Sequence, residues 1–315
     1  MLYKKFLKAL FVFGFGLIVH DLQSKILIFT YSYNRPDFIK LQYKTFKKFL
    51  KDDYKFVVFN DARDPHLYKQ IKATCKKLGI DCIKIPQEIH DRPYLQRWPG
   101  EGLHDPAVRN CNVVMYSLDH YGFEHDDIIV LLDSDMFLVK PFSIKKFMQN
   151  YDVAAVPQGR SPDIRYLWIG LAFLNMRTMP NKTTINFNCG KIDGIGVDAG
   201  GQTHHYIKNN PTARIHDMNL IHLSGFACSE CNAQNNKFVC THNTESLRER
   251  NFDTNFIRFI QASPPAGYYH DCYMEFLLDQ TFLHYRSATN WDGKSSEYHK
   301  YKGAILNNFI KAITQ

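Results

Sequence analysis

The stretch Asp127 to Asp135, DIIVLLDSD, reads as a strand that ends in two carboxylates. Ile128 to Leu132 runs apolar without a polar break. Continuous runs of this kind belong to strands covered on both faces, as in parallel sheets. In an open parallel sheet, ligands gather at the carboxyl ends of strands. Side chains at i and i+2 of an extended segment point the same way. Asp133 and Asp135 therefore converge, while Ser134 is directed away. Two converging carboxylates repel unless a cation sits between them, and hard ions such as Mg2+ or Mn2+ prefer oxygen ligands. An Asp-rich turn capping the next element would show the same letters. The strand in front is what favours a metal.

Outward from this strand, the first half of the chain alternates strand and helix patterns. Lys25 to Tyr31 (KILIFTY), Tyr54 to Asn60 (YKFVVFN) and Cys82 to Ile85 read as strands. Between them, Phe38, Leu41, Phe46, Phe49 and Leu50 recur at near-helical spacing, and His66 to Leu78 reads as a second helix. A polar, Pro- and Gly-rich loop covers Pro86 to Pro106, followed by a helix from Ala107 to about His120. Ser143 to Asn150 reads as helix and Val153 to Val156 as strand. This alternation predicts an α/β fold with a mostly parallel sheet flanked by helices. The second half is less regular. Tyr166 to Met176 reads as a strand, Asn186 to Gly201 as a Gly-rich loop, Cys228 to His242 as a polar insertion, and Ser295 to Thr314 as an amphipathic helix.

The order of these features resembles the glycosyltransferases of the GT-A type. The features are a first strand ending at a polar turn, a second ending in Asn60-Asp61, a helix carrying Arg109-Asn110, and then the hydrophobic-Asp-x-Asp stretch. The resemblance covers roughly residues 25–156 and implies a Rossmann-like single domain over 25–315. Residues 25–156 would form the nucleotide-sugar half and residues 157–315 an irregular acceptor-side half. By position, Thr30, Tyr31, Arg35 and Asp61 would contact the nucleoside, and Arg109 and Asn110 the ribose and diphosphate. A guanidinium is chemically apt against phosphate. The resemblance also implies Mn2+ or Mg2+ on Asp133 and Asp135, with a third ligand from a C-terminal histidine. His284 in FLHYR fits that place, with Arg286 toward the diphosphate and Asn290-Trp291 beyond. As a buried strand residue, His284 also reads as a core histidine. For the acid that would deprotonate an acceptor hydroxyl, Asp198 in GIGVDAGGQ and Asp279 in LDQ compete. Trp168 and Gly170 would border the acceptor.

Composition bounds the alternatives. The chain has 315 residues, 45% hydrophobic and 22% charged, which is globular. Its formal charge of +8 suits an anionic ligand without choosing one, and no nucleic-acid motif accompanies the lysines. There is no GxxxxGK[ST], no GxGxxG after the first strand, no GxSxG and no HExxH. Lys4, Lys5 and Lys8 precede an apolar run from Ala9 to Val19, short for a membrane span. Residues 1–24 thus read as a signal peptide or signal-anchor, with membrane-associated or extracytoplasmic placement. Cys228, Cys231, Cys240 and His242 suit either structural zinc or a local disulfide. The leading expectation is sugar transfer from a UDP- or GDP-linked donor to a glycan, lipid or protein acceptor. The rivals are a sugar nucleotidyltransferase and a non-catalytic, membrane-tethered binding module.

Overall fold

A computed structural model describes residues 25–94, 96–102, 105–224, 238–240, 244–261, 272–288 and 296–315. The N-terminal segment 1–24, Cys228, Cys231, His242, Asn290 and Trp291 lie outside the described residues, as does the side chain of Cys240. Cys75, Cys82, Cys111 and Cys189 are free thiols.

The first half builds three strand–helix steps. Strand β1 (Ile26–Ser32) leads to helix α1 (Pro36–Phe49), β2 (Tyr54–Asn60) to α2 (Pro65–Leu78), and β3 (Asp81–Lys84) through a long loop to α3 (Pro106–Ser117). Each helix starts on a proline, whose fixed φ and missing N–H suit the first turn. Asp64 caps α2 by accepting from the His66 and Leu67 amides at 2.6 and 3.1 Å. Gly79 then ends that helix at φ 66°, a left-handed stop that glycine adopts without strain. The buried face of α1 is Phe38, Ile39, Gln42, Thr45, Phe46 and Phe49, the spacing of one helical stripe.

Strand β4 (Ile128–Asp133) and the short β5 (Met136–Leu138) follow, then α4 (Ile144–Met148), β6 (Val153–Ser161) and β7 (Ile164–Asn175). Beyond them come the hairpin β8 (Gly190–Ile192) and β9 (Ile195–Val197), helix α5 (Thr203–Asn209), and β10 (Ile215–Asp217). The main sheet has seven strands in the order β10-β6-β7-β4-β1-β2-β3. β3, β2, β1 and β4 are mutually parallel, β7 runs antiparallel to both β4 and β6, and β10 is parallel to β6. The chain walks from β1 to β3 in one direction and then returns to lay β4 on the other side of β1. That reversal opens a crevice at the carboxyl ends of β1 and β4, where open α/β sheets bind ligands.

The remaining elements are β11 (Leu220–Ser224), β12 (Phe238–Cys240), α6 (Thr244–Glu249), α7 (Thr254–Ile260), β13 (Cys272–Leu277), β14 (Phe282–His284) and α8 (Ser296–Thr314). They form a second sheet in the order β12-β11-β13-β14-β5. Strand β5 leaves the main sheet right after Asp135 to join it. Phe137, Leu283, Phe256 and Phe309 build a second core between this sheet and the late helices, and Phe38 of α1 ties it to the first half.

Against the sequence-based expectations, the first four strands stand within one residue of their expected bounds. The helix expected to reach His120 instead ends at Ser117 and passes into a wider turn, Leu118–Gly122, closed by the Phe123 amide on the Leu118 carbonyl at 2.9 Å. The stretch from Asn186 to Gly201 is not wholly loop, because β8 and β9 pair within it. The second sheet was not expected, since its strands β5 and β14 are three residues long.

Candidate functional site

The crevice collects side chains from both sheets. Tyr31 from the end of β1, Asp61 after β2, Arg109 and Asn110 on α3, Asp133 at the end of β4 and Asp135 just beyond it line one cleft. His284 from β14, Trp168 from β7 and Asp198 after β9 complete it.

Asp133 and Asp135 meet His284 because β5 pairs with β14. Met136 stands opposite His284 in the ladder, and the Tyr285 amide donates to the Asp135 carbonyl at 2.8 Å. One ligand atom from each of Asp133, Asp135 and His284 lies within 4.8 Å of the others. His284 Nε2 is 3.4 Å from Asp135 Oδ1. Two carboxylates and one imidazole at that spacing fit a divalent cation with a mixed O/N ligand set. Asn110 donates to Asp133 Oδ1 at 3.1 Å, and the Ala288 amide donates to Asp135 Oδ2 at 3.3 Å. Both carboxylates are thus oriented before any ligand arrives.

The electrostatics match the geometry. Burial, and then the neighbouring Asp135 charge, push Asp133 up to about 6. Burial alone would raise Asp135 too, but the His284 imidazole holds it below the ordinary carboxylate range. Burial alone would lower His284, yet Asp135 and Glu275 on its two sides push it up to about 10. A site that holds a proton this tightly between carboxylates is a site for positive charge.

The wall of the cleft that carries Asp61 and Arg109 is a buried ion-pair network. Arg109 pairs with Asp61 at 2.6 Å, and His90 reaches the other oxygen of Asp61 at 2.8 Å. Arg109 is 5% exposed, and its Nη1 has no hydrogen-bond partner among the described residues. Buried donors of this kind cost free energy unless a partner is supplied. Tyr33 lies beside the same guanidinium, 5.3 Å from ring centre to Cζ. Tyr31 donates or accepts at Ser117 Oγ, 2.9 Å away, and burial raises its hydroxyl well above the ordinary range.

On the opposite wall, Asp198 is pinned. Arg97 Nη1 reaches its Oδ1 at 2.5 Å, and Arg160 approaches Oδ2 at 3.8 Å. Arg97 is itself buried and also paired with Glu101 and Asp105. Trp168 packs with its ring centre 5.3 Å from the His284 ring. Gly170 allows this, because a Cβ there would stand 2.2 Å from the Trp168 ring.

The other sequence candidates stand apart from the cleft. Thr30 is fully buried within β1 and does not line it. Arg35 pairs with Asp37 at 2.7 Å, lies 3.5 Å above the Phe38 ring and donates to the Ala288 carbonyl at 3.1 Å. It therefore braces the segment whose amide holds Asp135. Arg286 is half-exposed, 3.8 Å from Glu275, with its backbone at φ 60°. Asp279 occupies the turn between β13 and β14, held by Asn219 at 2.7 Å. Sequence reasoning missed Glu275 and Arg97. Glu275 carried a signal, an acid inside the apolar run CYMEFLL. Arg97 sits in a polar loop and carried none.

No family model matches the chain, and no curated protein matches it. Solved structures do. The mannosyltransferase Ktr4p from S. cerevisiae is similar at 9% identity and TM-score 0.33, over 49% of this chain and 56% of that one. The bifunctional glycosyltransferase WbbM is similar at 11% and 0.33, over 51% and 33%. Glucosyl-3-phosphoglycerate synthase from Mycobacterium tuberculosis, in a complex with Mn2+, UDP and glucosyl-3-phosphoglycerate, is similar at 12% and 0.30, over 49% and 57%. The chain spans less than two thirds of each of these proteins. Each likeness covers about half of this chain.

Proposed function

We propose that this chain is a metal-dependent glycosyltransferase that takes a sugar from a nucleotide-diphosphate donor, UDP- or GDP-linked. One observation carries the reading: Asp133, Asp135 and His284 offer two oxygens and a nitrogen within 4.8 Å of one another. They do so at the switch point of an open α/β sheet, where such folds bind nucleotides. Mn2+ or Mg2+ held there would neutralise charge developing on the diphosphate leaving group.

The chain's own residues supply the rest. Arg109, whose Nη1 has no partner among the described residues and lies beside Asp61, offers a donor to the ribose or diphosphate. Tyr31 and Tyr33 flank the nucleoside space. Asp198 and Trp168 face the acceptor side, a glycan, lipid or protein hydroxyl. Arg97 holds the Asp198 carboxylate in place, which suits orienting that hydroxyl and taking its proton. The rival binding-module reading has no use for the buried, pre-oriented carboxylate pair. The nucleotidyltransferase reading lacks a Gly-rich turn after β1, where Asn34-Arg35-Pro36 stands.

Among the described residues, no helix is long and apolar enough to cross a membrane. Attachment or secretion would rest on residues 1–24, with their basic start and apolar run.

Donor hydrolysis tests the reading. UDP- and GDP-sugars are incubated with the purified protein in Mn2+, in EDTA, and with Asp135→Ala. Metal-dependent nucleotide release from one donor, lost in the variant, is expected. Absence of release together with absence of metal-dependent nucleotide binding by calorimetry overturns it.

A further inference from the structure

Three residues stand abreast on neighbouring strands of the second sheet. His222 on β11 is opposite Glu275 on β13, and Glu275 is opposite His284 on β14. Their side chains are joined in the same order. His222 Nδ1 is 2.8 Å from Glu275 Oε1, and His284 Nδ1 is 2.7 Å from Glu275 Oε2. Glu275 is 4% exposed, between the buried Met274 and Phe276 of its strand, with Leu277 beyond. A carboxylate in that setting costs free energy unless each oxygen has a donor. The two imidazoles meet that need, one at each carboxylate oxygen. An ionised carboxylate only accepts hydrogen bonds. The proton between Glu275 and His284 is therefore on Nδ1.

That placement decides what the other nitrogen does. With Nδ1 donating to Glu275, the Nε2 of His284 is the nitrogen directed at Asp135, 3.4 Å away. We infer that Glu275 is a positioning residue of the cation site. It fixes the ring plane and proton placement of His284 so that Nε2 faces the Asp133–Asp135 pair, and His222 locks Glu275 in that rotamer. The inference rests on the metal reading above. A ligating imidazole commonly has its second nitrogen held by a carboxylate, and losing that partner weakens metal binding by about 10- to 100-fold.

The experiment compares the full chain with Glu275→Gln and Glu275→Leu, using Mn2+ alone as the probe. Affinity is read by calorimetry, and the histidine nitrogen by its modulation of the Mn2+ electron spin echo. In Glu275→Gln, one amide face must turn its NH2 toward an imidazole, so the two histidines can no longer both donate. Mn2+ affinity is expected to fall about 10-fold there and up to about 100-fold in Glu275→Leu. The nitrogen modulation should weaken in the first and vanish in the second, while carboxylate binding persists. The isosteric glutamine variant keeps the test open should the leucine variant fail to fold. Wild-type affinity with full nitrogen modulation in Glu275→Gln overturns the positioning role and leaves the metal reading standing. If the unaltered chain binds no Mn2+, both fall.

Discussion

His284 Nε2 lies 3.4 Å from Asp135 Oδ1, with Glu275 on the other side of the same ring at 2.7 Å. In the metal-free protein this imidazole is charged at neutral pH, because two carboxylates push it from its ordinary 6.5 to about 10. A cation at Nε2 must displace that proton, so metal and proton compete.

Metal affinity should therefore rise with pH, by about tenfold per unit between roughly pH 6.5 and 9 for one displaced proton. Below about 6 the slope should steepen, because Asp133 also holds a proton there. Stability of the metal-free fold should move the other way. A group whose folded value is raised contributes stability that is full below its unfolded value and is lost as pH rises through the folded one. For His284 that loss runs from 6.5 to about 10, and for Asp133 from 3.8 to about 6. Melting curves in Mn2+ and in EDTA should diverge as pH rises from 6 to 9. Curves that keep a constant gap would contradict the competition.

Arg109→Ala should cost both binding and stability. It leaves Asp61 buried with His90 as its nearest basic partner. Breaking a buried pair from one side typically costs about 3 kcal/mol or more. Nucleoside diphosphate affinity should fall at least tenfold as well, read by calorimetry with UDP and GDP. Unchanged affinity would place the nucleotide elsewhere.

Asp198→Asn should separate binding from turnover. Its carboxylate lies across the cleft from the Asp133–Asp135–His284 cluster and is held by Arg97. On the proposed role of taking the acceptor proton, its loss should lower transfer by about 10²-fold or more, with Mn2+ and donor affinity nearly unchanged. An equal fall in donor affinity and transfer would assign it a donor-binding role instead.

Gly200→Ala should destabilise the wall that carries Asp198. Gly200 has φ +88°, and a Cβ there would stand 1.9 Å from the Leu167 carbonyl oxygen. Strained backbone of this kind costs about 1–3 kcal/mol before the clash is relieved. Urea denaturation should show the loss, and acceptor transfer should fall more than donor hydrolysis. A neutral substitution would mean that the loop has freedom to move.

Much of the first half was legible from local pattern. KILIFTY, YKFVVFN and DIIVLL are long enough for their apolar runs to identify strands, and the helices between them repeat at a helical period. Asp133 and Asp135 could be placed on one side because i and i+2 in an extended segment share a side. That relation is local, so the chain alone carries it. Arg109 was also legible as a cleft residue, although its tie to Asp61 was not.

The second half was decided in three dimensions. β5 and β14 are three residues each, too short for a period to show. Their pairing is what sets His284 beside Asp135 and opposite Glu275. Arg97 reaches Asp198 from a loop whose letters read only as polar. The sequence by itself determined the α/β order and the carboxylate pair, because those rest on neighbours along the chain. The tertiary structure alone decided how His284 meets that pair, its Glu275 and His222 supports, and the tie from Arg97 to Asp198. Those rest on ladders between distant strands, whose register is chosen by the packing of whole faces rather than by any one segment.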